Sequence, residues 1–373
     1  MIIKNVEVIP LRLPVKEPLV ESGGIFSELD HVVLKISADN SIEGIGEIEA
    51  YPSFERPGVE TQAGIIAIIE SHFLQCLLGQ DPFNLENIWQ RMDQAVEGYL
   101  RVKGGIDSAL YDLIAKFLGQ PVYNLLGGRV RDEYPVEGVG YGISIGPPEK
   151  VAQIARDAVN AGYTELELKG GDSNPDSDIQ RVQRVREAIG KKATLKVDFN
   201  GFYDPKTAIY VIREMERFGV EWVEQPVKYW DLEGLARVRN SVNARIVVDE
   251  SVESTQDLVK VIRAQATDGV HIKPTIKGGL TGARKLAAIA EASGVAIIPG
   301  TSAPTGVGIA VAQAFIASTR QIARGMHGSP LDLLLEDIVD SPIPPGATRI
   351  KIPNKPGLGV SLNEKVISKY RVD

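Results

Sequence analysis

Cysteine is almost absent from this chain of 373 residues, in which Cys76 is the only one. A single cysteine cannot form an intrachain disulfide, and it cannot supply a cysteine-rich zinc site or an iron–sulfur cluster. We therefore expect a protein of a reducing compartment, the cytoplasm, whose chemistry depends on other side chains.

Positive charge is also scarce, because 41 Lys and Arg residues face 49 Asp and Glu residues and the formal net charge is −8. The absence of a dense basic run argues against nucleic acid and against an anionic membrane surface as partners. No apolar stretch approaches the roughly 20 residues of a membrane helix, and the first residues lack the layout of a signal peptide. A small-molecule substrate is the favoured partner.

The spacing of apolar residues divides the sequence into successive segments. Residues 1–60 alternate apolar and polar residues as in a strand meander, and residues 61–126 have helical spacing, so we assign an N-terminal α+β domain to residues 1–127. Residues 128–345 repeat a short strand and an amphipathic helix eight times, which predicts an α/β fold, a (β/α)8 TIM-type barrel. A doubly wound open sheet is the competing architecture. The strand-like tail, residues 346–373, is expected to return to the N-terminal domain.

Five consecutive predicted strands end in a charged residue. The eight barrel strands are expected at Val136–Ser144, Thr164–Lys169, Ala193–Asp198, Val220–Glu224, Arg245–Asp249, Gly269–Lys273, Val295–Pro299 and Ile322–His327. The charged ends are Lys169, Asp198, Glu224, Asp249 and Lys273, spaced by 29, 26, 25 and 24 residues. Each step is one strand and one helix, so all five side chains are expected at the carboxyl rim, where barrel enzymes have their active sites.

The three carboxylates of this series favour a bound cation. One strand often ends in a charged residue simply because the chain leaves the core, but three adjacent carboxylates on consecutive strands repel one another strongly at low dielectric. We therefore predict a metal site formed by Asp198, Glu224 and Asp249. Oxygen ligands with open positions for water or substrate suit Mg2+, or Mn2+, better than Zn2+.

The two lysines flank this predicted metal site. A lysine acts as a general base only when its pKa falls from about 10 towards neutrality, and a nearby dication or a second ammonium acts in that direction. A carboxylate substrate that loses its α-proton becomes an enediolate, whose negative charge a metal stabilises. Lys169 and Lys273 are therefore candidate catalytic residues for abstraction of a proton next to a carboxylate.

Longer motifs surround these residues. They are SALYDLIAKFLGQPVYNLLGG (Ser108–Gly128), KVDFNG, VEQP, VDES and IKPTIKGGL. Together they resemble, from end to end, the enolase superfamily and within it the muconate lactonizing enzyme subgroup, a group of mandelate racemase/muconate lactonizing enzyme-like proteins. The aspartate at position 249 points to the muconate lactonizing side. The resemblance implies the same metal ligands and lysine bases, and an N-terminal capping domain whose loops close over the substrate.

Under this resemblance the lid loops are expected at Val15–Glu28 and Ala50–Pro57, with Tyr51 and Phe54 as candidate substrate contacts. Further candidates at the rim are Glu167, Asn200, Thr301, Ser302 and His327.

The sequence departs from the family pattern at two positions. The second-strand motif, usually Lys-x-Lys, reads Glu167-Leu168-Lys169, and residues two apart on a strand share a face. Three interpretations of Glu167 stay open: it pairs with Lys169 and alters which base works, it meets a cation such as a substrate ammonium, or it forms a salt bridge without a catalytic part. Pro304 stands where relatives often have glutamate, which leaves the substrate class open.

The same set of residues permits several reactions, because only the fate of the enediolate differs. We favour a racemase or epimerase of an amino-acid derivative, in which one lysine removes the α-proton and the other returns a proton on the opposite face. Muconate-type cycloisomerisation, dehydration of a hydroxy acid and a non-catalytic metal-binding relative are the alternatives. We expect a homo-oligomer.

Overall fold

The computed structural model describes residues 1–21, 24–50, 60–138 and 142–372. Its N-terminal part begins with an antiparallel meander in the order β1-β2-β3, as the alternation predicts. The strands are β1 (Ile3–Glu21), β2 (Gly24–Ala38) and β3 (Glu43–Glu49). The helices that follow are α1 (Gln62–Ile68), α2 (Leu74–Leu77), α3 (Leu85–Ala95), α4 (Leu100–Phe117) and α5 (Val122–Leu125), with one π-helical turn (Ile69–Phe73) between α1 and α2.

The prediction of a loop at Val15–Glu28 was wrong. Strand pairing resumes after a register irregularity between Pro14 and Leu19, and Leu19 then pairs with Phe26. Backbone hydrogen bonds therefore continue the hairpin to the end of β1. The second predicted lid, after Ala50, lies outside the described residues.

The meander packs closely on α4 because glycine occupies the contact. A Cβ atom on Gly46 would lie 2.1 Å from the carbonyl oxygen of Gly105, and one on Gly44 would lie 2.1 Å from that of Ala109. The backbone of β3 therefore touches the backbone of α4, which leaves no room for a side chain between them.

A curled parallel sheet of six strands forms the second part, in the order β10-β9-β8-β7-β6-β5. Its strands are β5 (Glu165–Lys169), β6 (Thr194–Asp198), β7 (Val220–Glu224), β8 (Arg245–Val248), β9 (Gly269–Ile272) and β10 (Ala296–Pro299). Its helices are α6 (Pro148–Ala161), α7 (Pro175–Ile189), α8 (Pro205–Glu216), α9 (Leu232–Arg239), α10 (Thr255–Arg263), α11 (Gly279–Ala292) and α12 (Gly306–Ser318). All six strands start and end within one residue of the predicted bounds.

In their described residues, the first and eighth predicted barrel strands, Val136–Ser144 and Ile322–His327, contribute single β-bridges instead of parallel strands. Val136 bridges Met326 and Ile143 bridges Leu168, both in parallel sense. Glycine explains part of the difference, because Gly138 and Gly142 have φ of 69° and 92°, which no regular strand has.

Local sequence signals begin the helices. Proline is the first residue of α6, α7 and α8, where its missing N–H costs nothing. Side chains of Asn174, Asp204, Asp231 and Ser254 accept backbone N–H groups at the starts of α7, α8, α9 and α10. Among the described residues, no helix has both the length and the apolar character needed to cross a membrane.

The tail is helical at its end, which the prediction of a strand-like segment missed. A short strand, β11 (Arg349–Lys351), pairs antiparallel with β4 (Glu133–Pro135), and α13 (Glu364–Tyr370) begins at the cap residue Asn363. Behind α13, Arg371 bridges Leu11 of β1. The end of the chain therefore lies on the N-terminal sheet.

Replacement of Gly46 by alanine is predicted to lower the free energy of unfolding by about 1–3 kcal/mol, because the new methyl group overlaps the carbonyl of Gly105. Urea denaturation measures the effect. Gly146→Ala is the control, since the nearest atom to a Cβ there lies 3.8 Å away. Equal stability of the two variants would contradict the close packing of β3 on α4.

Candidate active site

The three carboxylates predicted as metal ligands lie at the carboxyl ends of neighbouring strands. Asp198 and Glu224 are paired across β6 and β7, and Asp249 directly follows β8. All three residues are at most 2% exposed. Ligand atoms of Glu224, Asp249 and the neighbouring His271 lie within 4.8 Å of one another. The sheet therefore brings ligand atoms of Glu224, Asp249 and His271 together, and strand pairing places Asp198 beside Glu224.

Lys169 and Lys273 lie on either side of these carboxylates. Lys169 ends β5, and its Nζ is 2.7 Å from Asp198 Oδ2. Lys273 follows β9, and its Nζ is 2.6 Å from Asp249 Oδ2. The lysine side chains are 14% and 10% exposed, so they reach the surface of the site while their carboxylate partners stay buried.

Glu224 is held from below by Lys196 and His271. Its Oε2 is 2.6 Å from Lys196 Nζ, and its Oε1 is 2.9 Å from His271 Nδ1. Burial lowers the pKa of His271 to about 4, so the ring is neutral near pH 7 and donates from Nδ1. A Cβ on Gly300 would lie 2.2 Å from His271 Nε2, so only glycine fits where the chain after β10 passes the imidazole ring.

Asp249 is fixed through both its side chain and its backbone. Lys277, which is buried, donates to Asp249 Oδ1 at 3.1 Å and to the carbonyl oxygens of Asp249 and His271. Gln225 Oε1 accepts the backbone N–H groups of Asp249 and Ser251. The hydroxyl of Ser251 donates to the carbonyl of Tyr229.

Two residues beside the carboxylates have strained backbones. Asn200 and Gln225 have φ of 45° and 36°, a region that costs non-glycine residues about 1–3 kcal/mol and is concentrated at functional sites. In return, Asn200 donates its backbone N–H to Asp198 Oδ1 and its side-chain amide to Glu250 Oε1. The strain therefore orients groups around the carboxylates.

Glu167 has no exposed surface and three protein partners. Its Oε1 is 2.9 Å from Lys169 Nζ, and its Oε2 is 2.7 Å from Lys196 Nζ and 2.9 Å from His327 Nε2. Burial alone would raise the pKa of Glu167, but the nearby Lys169, Lys196 and His327 outweigh it and hold the pKa well below its usual range. Among the described residues, the carboxylate of Glu167 therefore has one hydrogen bond, from His327 to Oε2, and two ion pairs, of which the one from Oε1 to Lys169 lies outside hydrogen-bond geometry.

Lys196 connects the candidate metal site to a buried layer beneath it. Its Nζ contacts Glu224, Glu167 and, at 3.1 Å, Glu137 Oε2, and Arg324 donates to the other oxygen of Glu137. Burial would lower the pKa of Lys196, but the three carboxylates raise it well above its usual range. Lys196 therefore stays charged and balances several carboxylates at once.

The remaining negative charge fits a cation. Burial raises the pKa of Asp198 well above its usual range, and the carboxylates of Glu224 and Glu250 act in the same direction against the opposing charge of Lys169. A hard divalent cation relieves such crowding and prefers carboxylate oxygen. Asp198, Glu224 and Asp249 are therefore suited to hold one.

Two glutamates of β3 connect the meander to the segments that carry the site. Glu49 accepts Thr275 Oγ1, just beyond Lys273, at 2.6 Å and the backbone N–H of Ala303 at 2.6 Å. Glu47 accepts Thr305 and the N–H of Gly308 at the start of α12. Residues two apart on one strand thus fasten the N-terminal part over the ends of β9 and β10.

Three of the other predicted substrate contacts lie in described segments after β10 and beside Glu167. Thr301 is buried and Ser302 half-buried directly after β10, on the segment that Glu49 holds. His327 is buried against Glu167, with its ring 5.8 Å from that of His271. Tyr51 and Phe54 lie outside the described residues.

Sequence reasoning missed Lys196, Lys277, Glu137 and Arg324, and it did not connect His271 with Glu224. Lys196 was detectable, because it lies two residues before Asp198 and shares its strand face. The others depend on contacts between segments far apart in the chain, which no local pattern reveals.

The chain matches two family profiles that cover most of its length. Residues 3–127 match the mandelate racemase / muconate lactonizing enzyme, N-terminal domain, and residues 150–366 match the family described as enolase C-terminal domain-like. The chain belongs to the enolase superfamily, as a mandelate racemase/muconate lactonizing enzyme-like member.

Relatives within this superfamily have several isomerase activities. The chain is 30% identical to the N-succinyl-L-Arg/Lys racemase of Bacillus cereus over 100% of this chain and 98% of the relative. The solved structure of that racemase has a TM-score of 0.93, with coverage of 100% and 99%. An L-Ala-D/L-Glu epimerase of Clostridium acetobutylicum is 33% identical, with coverage of 96% and 99%. The muconate lactonizing enzyme of Pseudomonas putida is 28% identical, with a TM-score of 0.90 and full coverage of both chains.

Replacement of Lys196 by methionine is predicted to lower the free energy of unfolding by about 3–5 kcal/mol, because removing one partner leaves buried charges uncompensated. Urea denaturation near pH 7 measures it. Lys192→Met, at an exposed position two residues before β6, is the control. Equal unfolding midpoints for the two variants would contradict the balancing role of Lys196.

Proposed function

We propose that this protein is a metal-dependent racemase or epimerase of an amino-acid derivative, which removes the proton α to a carboxylate and forms an enediolate. The carrying observation is the placement of Lys169 and Lys273 on opposite sides of the same buried carboxylates. Each ammonium contacts one of those carboxylates, at 2.7 and 2.6 Å. Two bases on opposite sides of one α-carbon are what inversion of configuration requires.

We further propose that the six-stranded sheet is part of a closed eight-stranded barrel, residues 128–345, capped by residues 1–127 with the tail, residues 346–373. The bridges of Val136 to Met326 and of Ile143 to Leu168 support closure, as does the hydrogen bond from Ala323 N to Ile297 O. The contacts of Glu47 and Glu49 with the barrel support the cap.

Asp198, Glu224 and Asp249 would hold Mg2+, with Mn2+ as a substitute. When bound, the cation supplies positive charge beside the substrate carboxylate, which makes the α-proton more acidic. Around it, Lys196 and His271 orient Glu224, while Lys277 and Gln225 orient Asp249. These contacts keep the carboxylates in place before substrate arrives.

The lysines then exchange protons with the α-carbon. One Nζ accepts the α-proton from its side, and the ammonium of the other donates a proton from the opposite side, which inverts the centre. Buried protein groups exclude water from below the carboxylates. The racemase and epimerase relatives support an amino-acid derivative as the substrate.

Muconate-type cycloisomerisation is the second candidate function. The muconate lactonizing enzyme relative supports it. The different surroundings of the two lysines also support it. Lys169 contacts Glu167 and Asp198, whereas Lys273 shares Asp249 with Lys277. A cycloisomerase needs only one of the two for proton transfer, so single lysine variants separate the two functions.

Lys169→Ala and Lys273→Ala are each predicted to slow racemisation by about 100- to 10,000-fold, the usual contribution of a positioned acid or base. Optical rotation of N-succinyl-L-arginine with the Mg2+-loaded enzyme measures it. Lys228→Ala, at an exposed position after β7, should racemise at the normal rate. Near-normal turnover in either of the first two variants would refute the two-base scheme.

Asp249→Asn is predicted to weaken Mg2+ binding by more than about tenfold, because loss of even an outer partner of a ligand costs that much. Isothermal titration calorimetry without substrate measures it. Asp176→Asn, at an exposed position in α7, should titrate like the wild type. An unchanged affinity in the first variant would remove Asp249 from the ligand set.

A further inference from the structure

The ammonium of Lys169 lies between two carboxylates with different surroundings. It is 2.7 Å from Asp198 Oδ2 and 2.9 Å from Glu167 Oε1. Asp198 is also a candidate metal ligand, whereas Glu167 is not, and the other contacts of Glu167 are Lys196 and His327. We propose that Glu167 is a positioning residue that holds Lys169 at the α-carbon, in the position where the family pattern has a lysine. The proposal rests on the proposed racemase function.

Glu167 is itself held rigidly. Its Oε2 contacts two buried groups: Lys196 Nζ forms an ion pair at 2.7 Å, and His327 Nε2 donates a hydrogen bond at 2.9 Å. The bond from His327 is charge-assisted, because its acceptor is a carboxylate, and such hydrogen bonds are among the strongest in proteins. Rotation of the carboxylate would break both contacts, so Oε1 stays directed at Lys169.

The backbone at Gly142 also restricts movement of the Glu167 side chain. A Cβ on Gly142 would lie 3.0 Å from Glu167 Oε1 and 3.2 Å from its Cγ, and Gly142 has a φ of 92°. The backbone therefore covers the carboxylate directly. Glu167 is wholly buried and presents no surface to a substrate ammonium, and a positioning role accounts for the same contacts.

The position of Glu167 on one side of the site makes its effect selective. It contacts Lys169 at the end of β5, while Lys273 contacts Asp249 on the far side of the candidate metal ligands. Displacement of Lys169 should therefore impair proton transfer on one face of the substrate. A purely structural role of Glu167 would impair both faces alike.

The test measures exchange of the α-proton in D2O by NMR, separately for N-succinyl-L-arginine and N-succinyl-D-arginine, with Mg2+-loaded enzyme. Lys169→Ala first identifies the enantiomer whose exchange depends on Lys169. Glu167→Gln and Glu167→Asp should slow exchange of that enantiomer by about 10- to 100-fold, the effect of a displacement near 1 Å, and leave the other within about twofold.

Two variants show whether an effect comes from the shorter side chain at position 167, from the loss of its charge or from misfolding. Glu167→Asp keeps the charge that Lys196 and His327 require, so it tests the loss of reach to Lys169 even where Glu167→Gln does not fold. Glu165→Gln changes the carboxylate two residues earlier on the same face of β5 and should leave both rates unchanged. Equal slowing of both enantiomers, or no slowing, in Glu167→Asp would overturn the proposal.

A second measurement needs no substrate. Reductive methylation with formaldehyde and cyanoborohydride, followed by mass spectrometry, gives the labelling rate of Lys169 relative to Lys273. The proposal expects this ratio to rise in Glu167→Asp, and an unchanged ratio would overturn it. If the wild type exchanges neither enantiomer, the proposed function fails for these substrates, and the labelling ratio still decides the role of Glu167.

Discussion

Buried negative charge at one end of a parallel sheet is the constraint on which the rest of this structure depends. Asp198, Glu224 and Asp249 are almost fully buried, and carboxylates so placed remain charged only when cations compensate them. The chain supplies such groups from neighbouring strands. The rim lysines, the buried Lys196 and Lys277, and the predicted divalent cation are all parts of one charge balance.

This balance divides the lysines into two kinds. Lys196 and Lys277 have no appreciable exposed surface and stay fixed as structural counter-ions beneath the site. Lys169 and Lys273 reach the surface of the site, where a substrate can meet them. Lys196 and Lys277 contact Glu224 and Asp249 from below. Lys169 and Lys273 contact Asp198 and Asp249 at the surface of the site. Glu167 connects the two layers on the side of Lys169.

The local sequence predicts the parts of the fold that repeat. Alternation and spacing place β5 to β10 within one residue, because β5 to β9 end where an apolar run meets a charged residue and β10 ends at Pro299. The same spacing rules fail at Val136–Ser144 and Ile322–His327, whose described residues form only single β-bridges. In the first of these segments, Gly138 and Gly142 have positive φ, which interrupts a regular strand. They also fail for Val15–Glu28, whose pairing depends on the partner strand.

The sequence predicts only those residues of the candidate site that lie at the strand ends or on the same strand face. Strand ends identify Lys169, Asp198 and Glu224, and strand parity directs Glu167 towards the same face as Lys169. The partners of Glu167 depend on the register between β5 and β6, which aligns it with Lys196, and on the segment that brings His327 across the sheet. Those contacts join residues far apart in the chain, so only the folded structure reveals them.

The most direct test of the two-base account follows the isotope during racemisation of a single enantiomer of N-succinyl-arginine by the Mg2+-loaded enzyme in D2O. The account predicts that, early in the reaction, the product enantiomer carries deuterium at the α-carbon while the remaining substrate keeps its proton, because different lysines serve the two faces. Product that retains the substrate's own proton would contradict it.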